Sequence, residues 1–295
     1  MRTRLYAVAA LLWLGLGCAL AQPLAPERVT FPSLDRKTAL NAYLLRPREQ
    51  GPRPALVLLH GCSGLQDGAV MFPIYRVWAR LFATRGYVVL VVDSAGSRGF
   101  GETCTQRPER RVMFAERPKD AYAALAWLQG QPFVRADRIG AIGWSQGGAT
   151  ILLAIGARSN GRPDGFKGPD FRAAVALYPG VCSERLQSQL LVGAAPNTWT
   201  TAIPLLVLHG EADNWTPAAP CEAFIAGAKA RGAPVEFKLY PGAHHVFDAP
   251  NVAVRELPAY RLPSGVIPLA GTEPMARADA IPRVLDFFER HLGAP

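Results

Sequence analysis

The sequence has little of what would indicate several other classes of protein. Its 295 residues include only five cysteines and five histidines, and these show no metal-ligand spacing, so no metal or organic cofactor is expected. It contains no repeats and no low-complexity linker, which excludes a solenoid and predicts one domain. After the N-terminus no apolar run is long enough to span a bilayer, so no stable membrane insertion is expected.

Acidic residues are also in the minority. The chain has 32 Lys and Arg against 23 Asp and Glu, for a formal net charge of +9. Such a balance can indicate binding to nucleic acid. However, basic and acidic residues are interspersed, as in residues 107–111, where Glu109 lies among arginines. We find no basic helix face and no aromatic platform, so we interpret the charge as a solvated surface and expect no nucleic-acid partner.

The N-terminus has the pattern of a secretory signal peptide. Two arginines precede a short apolar stretch, residues 5–16, and Ala19-Leu20-Ala21 then fits the small-x-small cleavage pattern. We therefore predict removal of residues 1–21, which leaves residues 22–295 as one exported domain, periplasmic or secreted. The sequence does not indicate an oligomeric state.

Export changes what the cysteines can do. Lipidation of Cys18 is the less favoured alternative to cleavage, because Gly15 fits a lipoprotein motif poorly. In an oxidising compartment the four remaining cysteines can pair in three ways, and sequence alone does not choose among them. Our hypothesis is the pairing that joins loops at the same end of the sheet, Cys62 with Cys104 and Cys182 with Cys221.

The middle of the chain alternates apolar runs with helical stretches, which predicts an α/β fold with a mainly parallel sheet and helices on both faces. The predicted parallel strands are 55–59, 87–92, 139–144, 173–178, 205–209 and 235–240. An outer pair is predicted at 28–31 and 39–45. The predicted helices are 75–85, 120–129, 146–155 and 276–291. Three stretches are predicted to be irregular, 94–117, 158–169 and 249–274.

The strongest chemical signal is Gly143-Trp144-Ser145-Gln146-Gly147-Gly148. Ser145 lies between a buried strand and a helix, the context in which G-x-S-x-G forms a nucleophile elbow. The turn is so tight that side chains two residues before and after the serine would collide, which explains the glycines. Ser145 is therefore the candidate nucleophile.

A serine hydroxyl needs a base, and five histidines are available. Two of them end strands, and His291 lies on the last helix, where a surface position is expected. His244 and His245 follow the last strand, at the correct end of the sheet. Position along the chain does not separate these two.

The acid in this architecture follows another strand and precedes the histidine. Asp213 fits, because a short loop joins it to the strand 205–209. It would hold the imidazole in the correct tautomer and stabilise the imidazolium. Glu211 lies close to the strand end, and Asp248 fits a loop cap better, so both are weaker candidates.

An oxyanion needs two preorganised N–H donors. One is expected from the backbone of Gln146, directly after the candidate nucleophile. The other is expected from the loop at residues 60–64, where we favour the backbone of Cys62.

Over residues 55–291 the sequence resembles the dienelactone hydrolase family of α/β-hydrolases. The resemblance rests on the following motifs: Leu59-His60-Gly61-Cys62-Ser63-Gly64, Asp93-Ser94 with Arg98-Gly99, the Ser145 elbow, Tyr178-Pro179-Gly180, residues 210–217, and Tyr240 to Asp248. It implies that His245 is the catalytic histidine. The enzymes that gave the family its name carry cysteine as nucleophile, so Ser145 favours general esterase activity. Arg98 corresponds loosely to an arginine that holds a substrate carboxylate, and a salt-bridged loop arginine is its alternative role.

Several aromatic side chains adjoin the candidate catalytic positions. Core packing is the usual role of such residues. The alternative is an aromatic-walled substrate pocket, for which the candidates are Trp144, Trp215 and Phe247.

Together these observations predict a serine hydrolase that cleaves a small-molecule ester or lactone through an acyl-enzyme on Ser145. Two alternatives remain on the same fold, an exported acyltransferase and a non-catalytic ligand-binding protein. Product analysis with added alcohol separates the first, and the absence of turnover separates the second.

Overall fold

The computed structural model describes residues 25–49 and 51–295; the predicted signal peptide and Cys18 lie outside them. The central sheet contains β1 (Glu27–Pro32), β2 (Ala39–Leu45), β3 (Arg53–Leu59), β4 (Val88–Asp93), β5 (Val134–Trp144), β6 (Ala173–Leu177), β7 (Leu205–Gly210) and β8 (Val235–Tyr240). The α-helices are α1 (Pro73–Thr84), α2 (Arg107–Gln129), α3 (Gln146–Ile155), α4 (Ala218–Ala230) and α5 (Pro274–Leu292). Two-stranded ribbons pair residues 66–67 with 70–71 and residues 255–256 with 269–270.

The sheet is mainly parallel, as predicted. Its strand order is β1-β2-β4-β3-β5-β6-β7-β8. The outer strands β1 and β2 run antiparallel to their neighbours, and all other pairs are parallel. The carboxyl ends of β3 and β5 to β8 therefore meet at one edge, which is where open α/β sheets place their sites.

Helices cover both faces of the sheet, which explains the continuous apolar runs of the central strands. Alternate residues of β3 and β4 enter opposite cores: Val57 and Leu90 pack with α2, α3 and α4, whereas Leu58 and Val91 pack with α1 and α5. No helix among the described residues is long and apolar enough to cross a membrane.

The predicted irregular stretch 94–117 is wrong from Arg107 onward, where α2 begins. Pro108 lies in the first turn, where a missing N–H costs nothing. Pro118 lies inside the helix, a position that reads as a breaker in the sequence. Helix α4 was not predicted at all, because its alanine-rich face carries few large apolar residues.

The predicted disulfide pairing is confirmed. Cys62 bonds to Cys104 with a Cα–Cα distance of 4.9 Å, and Cys182 bonds to Cys221 with a Cα–Cα distance of 4.7 Å. The first bond joins the loop after β3 to the segment before α2. The second joins the loop after β6 to α4.

A buried histidine at the end of β7 makes stability depend on pH. Burial lowers the pKa of His209 from 6.5 to about 4, so the unfolded chain binds a proton at a higher pH than the folded chain does. The free energy of unfolding therefore falls as the pH falls from about 6.5 towards 4. Between about pH 7.5 and pH 5 we expect the free energy of unfolding of the wild type to fall by about 2 kcal/mol more than that of His209→Gln. Urea unfolding of both proteins at the two pH values measures the difference.

The comparison with His209→Gln is needed because other buried groups also titrate. Burial lowers the pKa of His60 as well, which acts in the same direction as His209, whereas buried carboxyl groups act in the opposite direction. Burial raises the pKa values of Asp93, Asp120 and Asp248, which favours folding at lower pH. These groups are present in both proteins. Equal losses of stability in the two proteins would contradict the assignment to His209.

Candidate active site

Ser145 occupies a strained turn between β5 and α3. Its φ angle is 52°, in the left-handed region that side chains rarely adopt, and its relative exposure is 9%. A Cβ on Gly143 would lie 2.2 Å from the Gly147 carbonyl oxygen, and one on Gly147 would lie 2.0 Å from the Leu59 carbonyl oxygen. The two glycines therefore allow β5, α3 and β3 to approach closely enough for the turn to form.

Two further positive φ angles lie at neighbouring strand ends. Tyr178, directly after β6, has a φ of 34°, and Val246, after β8, has a φ of 55°. A β-branched residue is a genuine outlier in this region. Such strain is typical of functional sites, where the surrounding structure holds the backbone in place. Both residues flank His245, since the Tyr178 ring lies 4.5 Å from the imidazole.

His245 and Asp213 form a buried hydrogen-bonded pair. The imidazole Nδ1 lies 2.7 Å from the Asp213 Oδ2, and the side chains are 2% and 0% exposed. The segments that carry them are packed closely together. If Gly210 had a Cβ, that atom would lie only 2.2 Å from the Ala243 carbonyl oxygen. Glycine at this position lets the two loops make contact.

The Asp213 carboxylate is also stabilised by its own loop. The backbone N–H groups of Trp215 and Thr216 donate to Oδ1, each at 2.9 Å, and the Thr216 hydroxyl donates to Oδ2. Burial alone would raise the pKa of Asp213, but the charge and hydrogen bond of His245 and the loop donors bring it below its usual range. Asp213 is therefore ionised at neutral pH, as an orienting acid must be.

His244 and Glu211, the alternative candidates for base and acid, do not contact the His245–Asp213 pair in the same way. The Nδ1 of His244 lies 2.9 Å from the Ala212 carbonyl oxygen, and Glu211 accepts a long hydrogen bond from the Gly242 backbone. The structure thus brings His245, and not His244, onto Asp213. Among the described residues, no hydrogen bond joins the Ser145 hydroxyl to His245; such bonds often form only when substrate is bound.

Asp248 has a larger structural role than the loop cap suggested by the sequence. Its carboxylate is fully buried and accepts hydrogen bonds from Trp78 at 2.7 Å, Trp144 at 2.8 Å and the Tyr178 hydroxyl at 2.7 Å. Burial raises its pKa despite these donors. Because Trp144 precedes Ser145 and Tyr178 packs on His245, Asp248 supports both sides of the site.

Thr103 joins the two segments that contain Gln146 and Cys62, whose backbone N–H groups are the predicted oxyanion donors. Its N–H donates to the Cys62 carbonyl at 2.7 Å, and its hydroxyl donates to the Gln146 Oε1 at 3.1 Å. The fully buried Arg117 donates to the same Oε1 at 3.0 Å and to the His60 carbonyl at 2.6 Å. Burial lowers the pKa of Arg117 to about 10, which leaves it charged at neutral pH.

The other predicted binding residues have different environments. Trp144 and Phe247 are 1% and 0% exposed and lie in the core, so they have no free surface for a substrate. Arg98 makes a bidentate salt bridge with the buried Asp120, at 2.7 and 2.8 Å, the alternative role considered for it. Trp215 is half-buried, and its ring lies 4.9 Å from that of His245.

The sequence did not indicate Thr103 or Arg117 as parts of the site, and it offered Asp248 only as a weaker candidate for the acid. The contacts of these residues join positions 29 to 170 residues apart, and local patterns carry no signal for such contacts. The arrangement as a whole can deliver a serine hydroxyl, a base oriented by a carboxylate, and backbone N–H groups at a helix N-terminus. These are the groups that acyl transfer requires.

Comparisons with known proteins bear on the fold and the family of this chain. Dipeptidyl-peptidase 5 of Porphyromonas gingivalis is 24% identical over 76% of this chain, but the chain spans only 35% of that protein's length. Thermogutta terrifontis esterase 2, solved after phosphoramylation by tabun, matches with a TM-score of 0.62 at 19% identity and covers 93% of this chain and 98% of its own.

A dienelactone hydrolase-like promiscuous phosphotriesterase from metagenomic libraries matches with a TM-score of 0.66 at 21% identity, over 90% of this chain and 98% of its own. These structural likenesses show the fold. The model of the dienelactone hydrolase family matches residues 40–292, most of the sequence. The chain belongs to the dienelactone hydrolase family.

Proposed function

We propose that the protein is a serine hydrolase that cleaves carboxylic esters or lactones through an acyl-enzyme on Ser145. The observation that carries the proposal is the buried His245–Asp213 hydrogen bond of 2.7 Å, at the same sheet edge as the strained Ser145 elbow. Membership of a hydrolase family supports it. The small-molecule substrate and the roles of the three residues are part of the proposal.

In the proposed mechanism His245 takes the Ser145 proton as the hydroxyl oxygen attacks the substrate carbonyl. Asp213 holds the imidazole with Nδ1 protonated, so that Nε2 is free to act as the base, and it stabilises the imidazolium that forms. The imidazolium then protonates the leaving alcohol. Water attacks the acyl-enzyme with His245 again as base, which releases the acid and restores the serine.

The tetrahedral oxyanion is bound in this mechanism by the backbone N–H groups of Gln146 and Cys62. Such donors stabilise the transition state only if they are held in position before the reaction. Thr103 helps to hold the two donors in position, because it hydrogen-bonds to Cys62 and to Gln146. The Cys62–Cys104 disulfide also links the residue after Thr103 covalently to the loop that carries the Cys62 N–H.

Thr103→Val keeps the size and the backbone N–H of this residue but removes its hydroxyl. We expect kcat to fall about three- to tenfold with KM unchanged, because the lost hydrogen bond holds the side chain of Gln146, whose backbone N–H is the proposed oxyanion donor, and does not bind substrate. Steady-state kinetics measure both constants. Thr103→Ser should restore kcat, and Thr105→Val, at an exposed position nearby, should leave it unchanged. A rise in KM alone would contradict this role.

The proposed place of action is outside the reducing cytoplasm. Two disulfides support an oxidising compartment. Cleavage after Ala21 is the predicted route, and N-terminal sequencing of the exported protein tests it.

The function is tested by offering the purified protein p-nitrophenyl acetate, a simple lactone and dipeptide p-nitroanilides. We expect hydrolysis of the ester or the lactone. The anilides are included because of the similarity to dipeptidyl-peptidase 5. Preference for an anilide, or transfer of the acyl group to added alcohol in place of water, would contradict hydrolysis of esters as the main activity.

A matched pair of variants tests which histidine is the base. His245→Gln should abolish turnover, whereas His244→Gln should retain it, because the His244 Nδ1 contacts only a backbone carbonyl. The reverse result would contradict the proposed roles.

A further inference from the structure

An apolar cavity of about 300 Å³ opens between the start of α1 and residues 249–270. We call it the aromatic pocket; its main lining residues are Phe72, Ile74, Trp215, Val252, Leu257 and Tyr260. Its volume lies at the lower end of the range for small-molecule sites. A bicyclic aryl group or a medium-length alkyl chain is of suitable size.

The inner end of the aromatic pocket reaches the candidate catalytic residues. Trp215 lines it, and the ring of Trp215 lies 4.9 Å from that of His245. Tyr75 also lines it, and its hydroxyl accepts a hydrogen bond from the Gly61 backbone at 2.7 Å. A Cβ on Gly61 would lie 3.6 Å from the Ser145 Cβ. A group in the pocket is therefore within reach of an ester bond at Ser145.

The outer wall of the pocket is held in place by contacts with the loop that carries Asp213. Asn214 donates to the Ile267 carbonyl at 3.0 Å and accepts from the Leu269 backbone at 2.8 Å. Tyr260 stacks on Trp215 with ring centroids 5.1 Å apart and an interplanar angle of 27°. The pocket is thus formed before substrate arrives, which lowers the cost of binding.

The lining offers few partners for a polar group. Its charged residue is Arg255, which is exposed, and its other polar groups are the hydroxyls of Ser63, Tyr75 and Tyr260 and the indole N–H of Trp215, among mostly apolar side chains. The Tyr75 hydroxyl is already engaged by Gly61. A charged or strongly polar substituent would lose its hydration here with little in exchange, whereas an apolar group gains by leaving water.

We propose that the aromatic pocket binds an aryl or medium-length alkyl substituent of the substrate, so that the preferred substrates are esters with one bulky apolar group. This inference rests on the proposed function, since it assigns a substrate class to the same site. The substituent can belong to the acyl or to the alcohol part, and the substrates of the test separate the two.

The test compares two substrate pairs: p-nitrophenyl acetate with p-nitrophenyl hexanoate, and methyl acetate with 1-naphthyl acetate. Leu257→Trp adds bulk at a residue that lines the pocket. We expect this variant to lower kcat/KM for the bulky member of at least one pair by about tenfold or more, and for the small members by less than about threefold. Leu190→Trp, at an exposed position (61%) away from the pocket, should change neither.

Equal losses for small and bulky esters, or no loss for either, would overturn the assignment. A binding measurement separates it from the proposed chemistry: 1-naphthyl acetate is titrated calorimetrically into Ser145→Ala with and without Leu257→Trp. Binding that weakens about tenfold with Leu257→Trp supports the pocket even if the wild type hydrolyses no ester. Absence of binding to Ser145→Ala overturns the pocket whatever the wild type hydrolyses.

Discussion

Ser145→Ala is expected to lower kcat for ester hydrolysis about ten-thousandfold to a millionfold. The variant removes the atom that forms the acyl-enzyme while leaving the strained turn and the glycines around it. Alanine is small enough for the site, and the residual rate is that of the remaining oxyanion donors acting on water. Initial rates with p-nitrophenyl acetate measure the effect, and circular dichroism checks that the fold is kept.

Ser94→Ala is the matched control for this variant. Ser94 directly follows β4, as Ser145 follows β5, and it is fully buried. Its replacement should leave kcat within about threefold, since none of its contacts involves the Asp213–His245 pair. If Ser145→Ala retained more than a tenth of the wild-type kcat, another group would be the nucleophile.

Asp213→Asn is expected to lower kcat about a thousandfold to ten-thousandfold, with little change in KM. An asparagine amide directed at Nδ1 would favour the tautomer in which Nε2 carries the proton and cannot act as the base. The buried carboxylate would also no longer stabilise the imidazolium. Steady-state kinetics at neutral pH measure the effect.

Glu211→Gln is the matched control, because Glu211 lies two residues earlier on the same loop and is exposed. We expect it to retain wild-type kcat. A large loss with Glu211→Gln and a small one with Asp213→Asn would reverse the assignment of the acid.

The central part of the fold could be predicted because its strands are simple in sequence. Buried parallel strands such as β3, β4 and β7 are almost continuous apolar runs. Strand β8 carries charged residues and was marked by the turn residues that follow Tyr240. Helix α2 could be predicted only from residue 120 onward, because charged residues and Pro118 interrupt its first half. The structure accommodates that half by burying Arg117 against Gln146 and the His60 carbonyl, a tertiary contact that propensity does not include.

The site shows the same division between local and distant information. The Ser145 elbow could be predicted because its glycines stand at fixed short spacings from the serine, although the space that Gly147 leaves is taken by the Leu59 carbonyl of β3. The positions of Asp213 and His245 followed from chain order and strand ends, and the resemblance to a family distinguished His245 from His244. The aromatic residues were ambiguous because a strand end can direct a side chain into the core, as with Trp144, or into a loop, as with Trp215. Asp248 was undervalued because its donors come from distant segments.

The most direct test of the central claim is covalent labelling of the folded protein with a fluorophosphonate, followed by peptide mass spectrometry. Only a serine activated by a neighbouring base reacts readily with such a reagent. We predict a single adduct on the peptide that contains Ser145, lost in Ser145→Ala and formed much more slowly in Asp213→Asn. An adduct on a different residue, or no adduct on the folded wild-type protein, would contradict the assignment of Ser145 as an activated nucleophile.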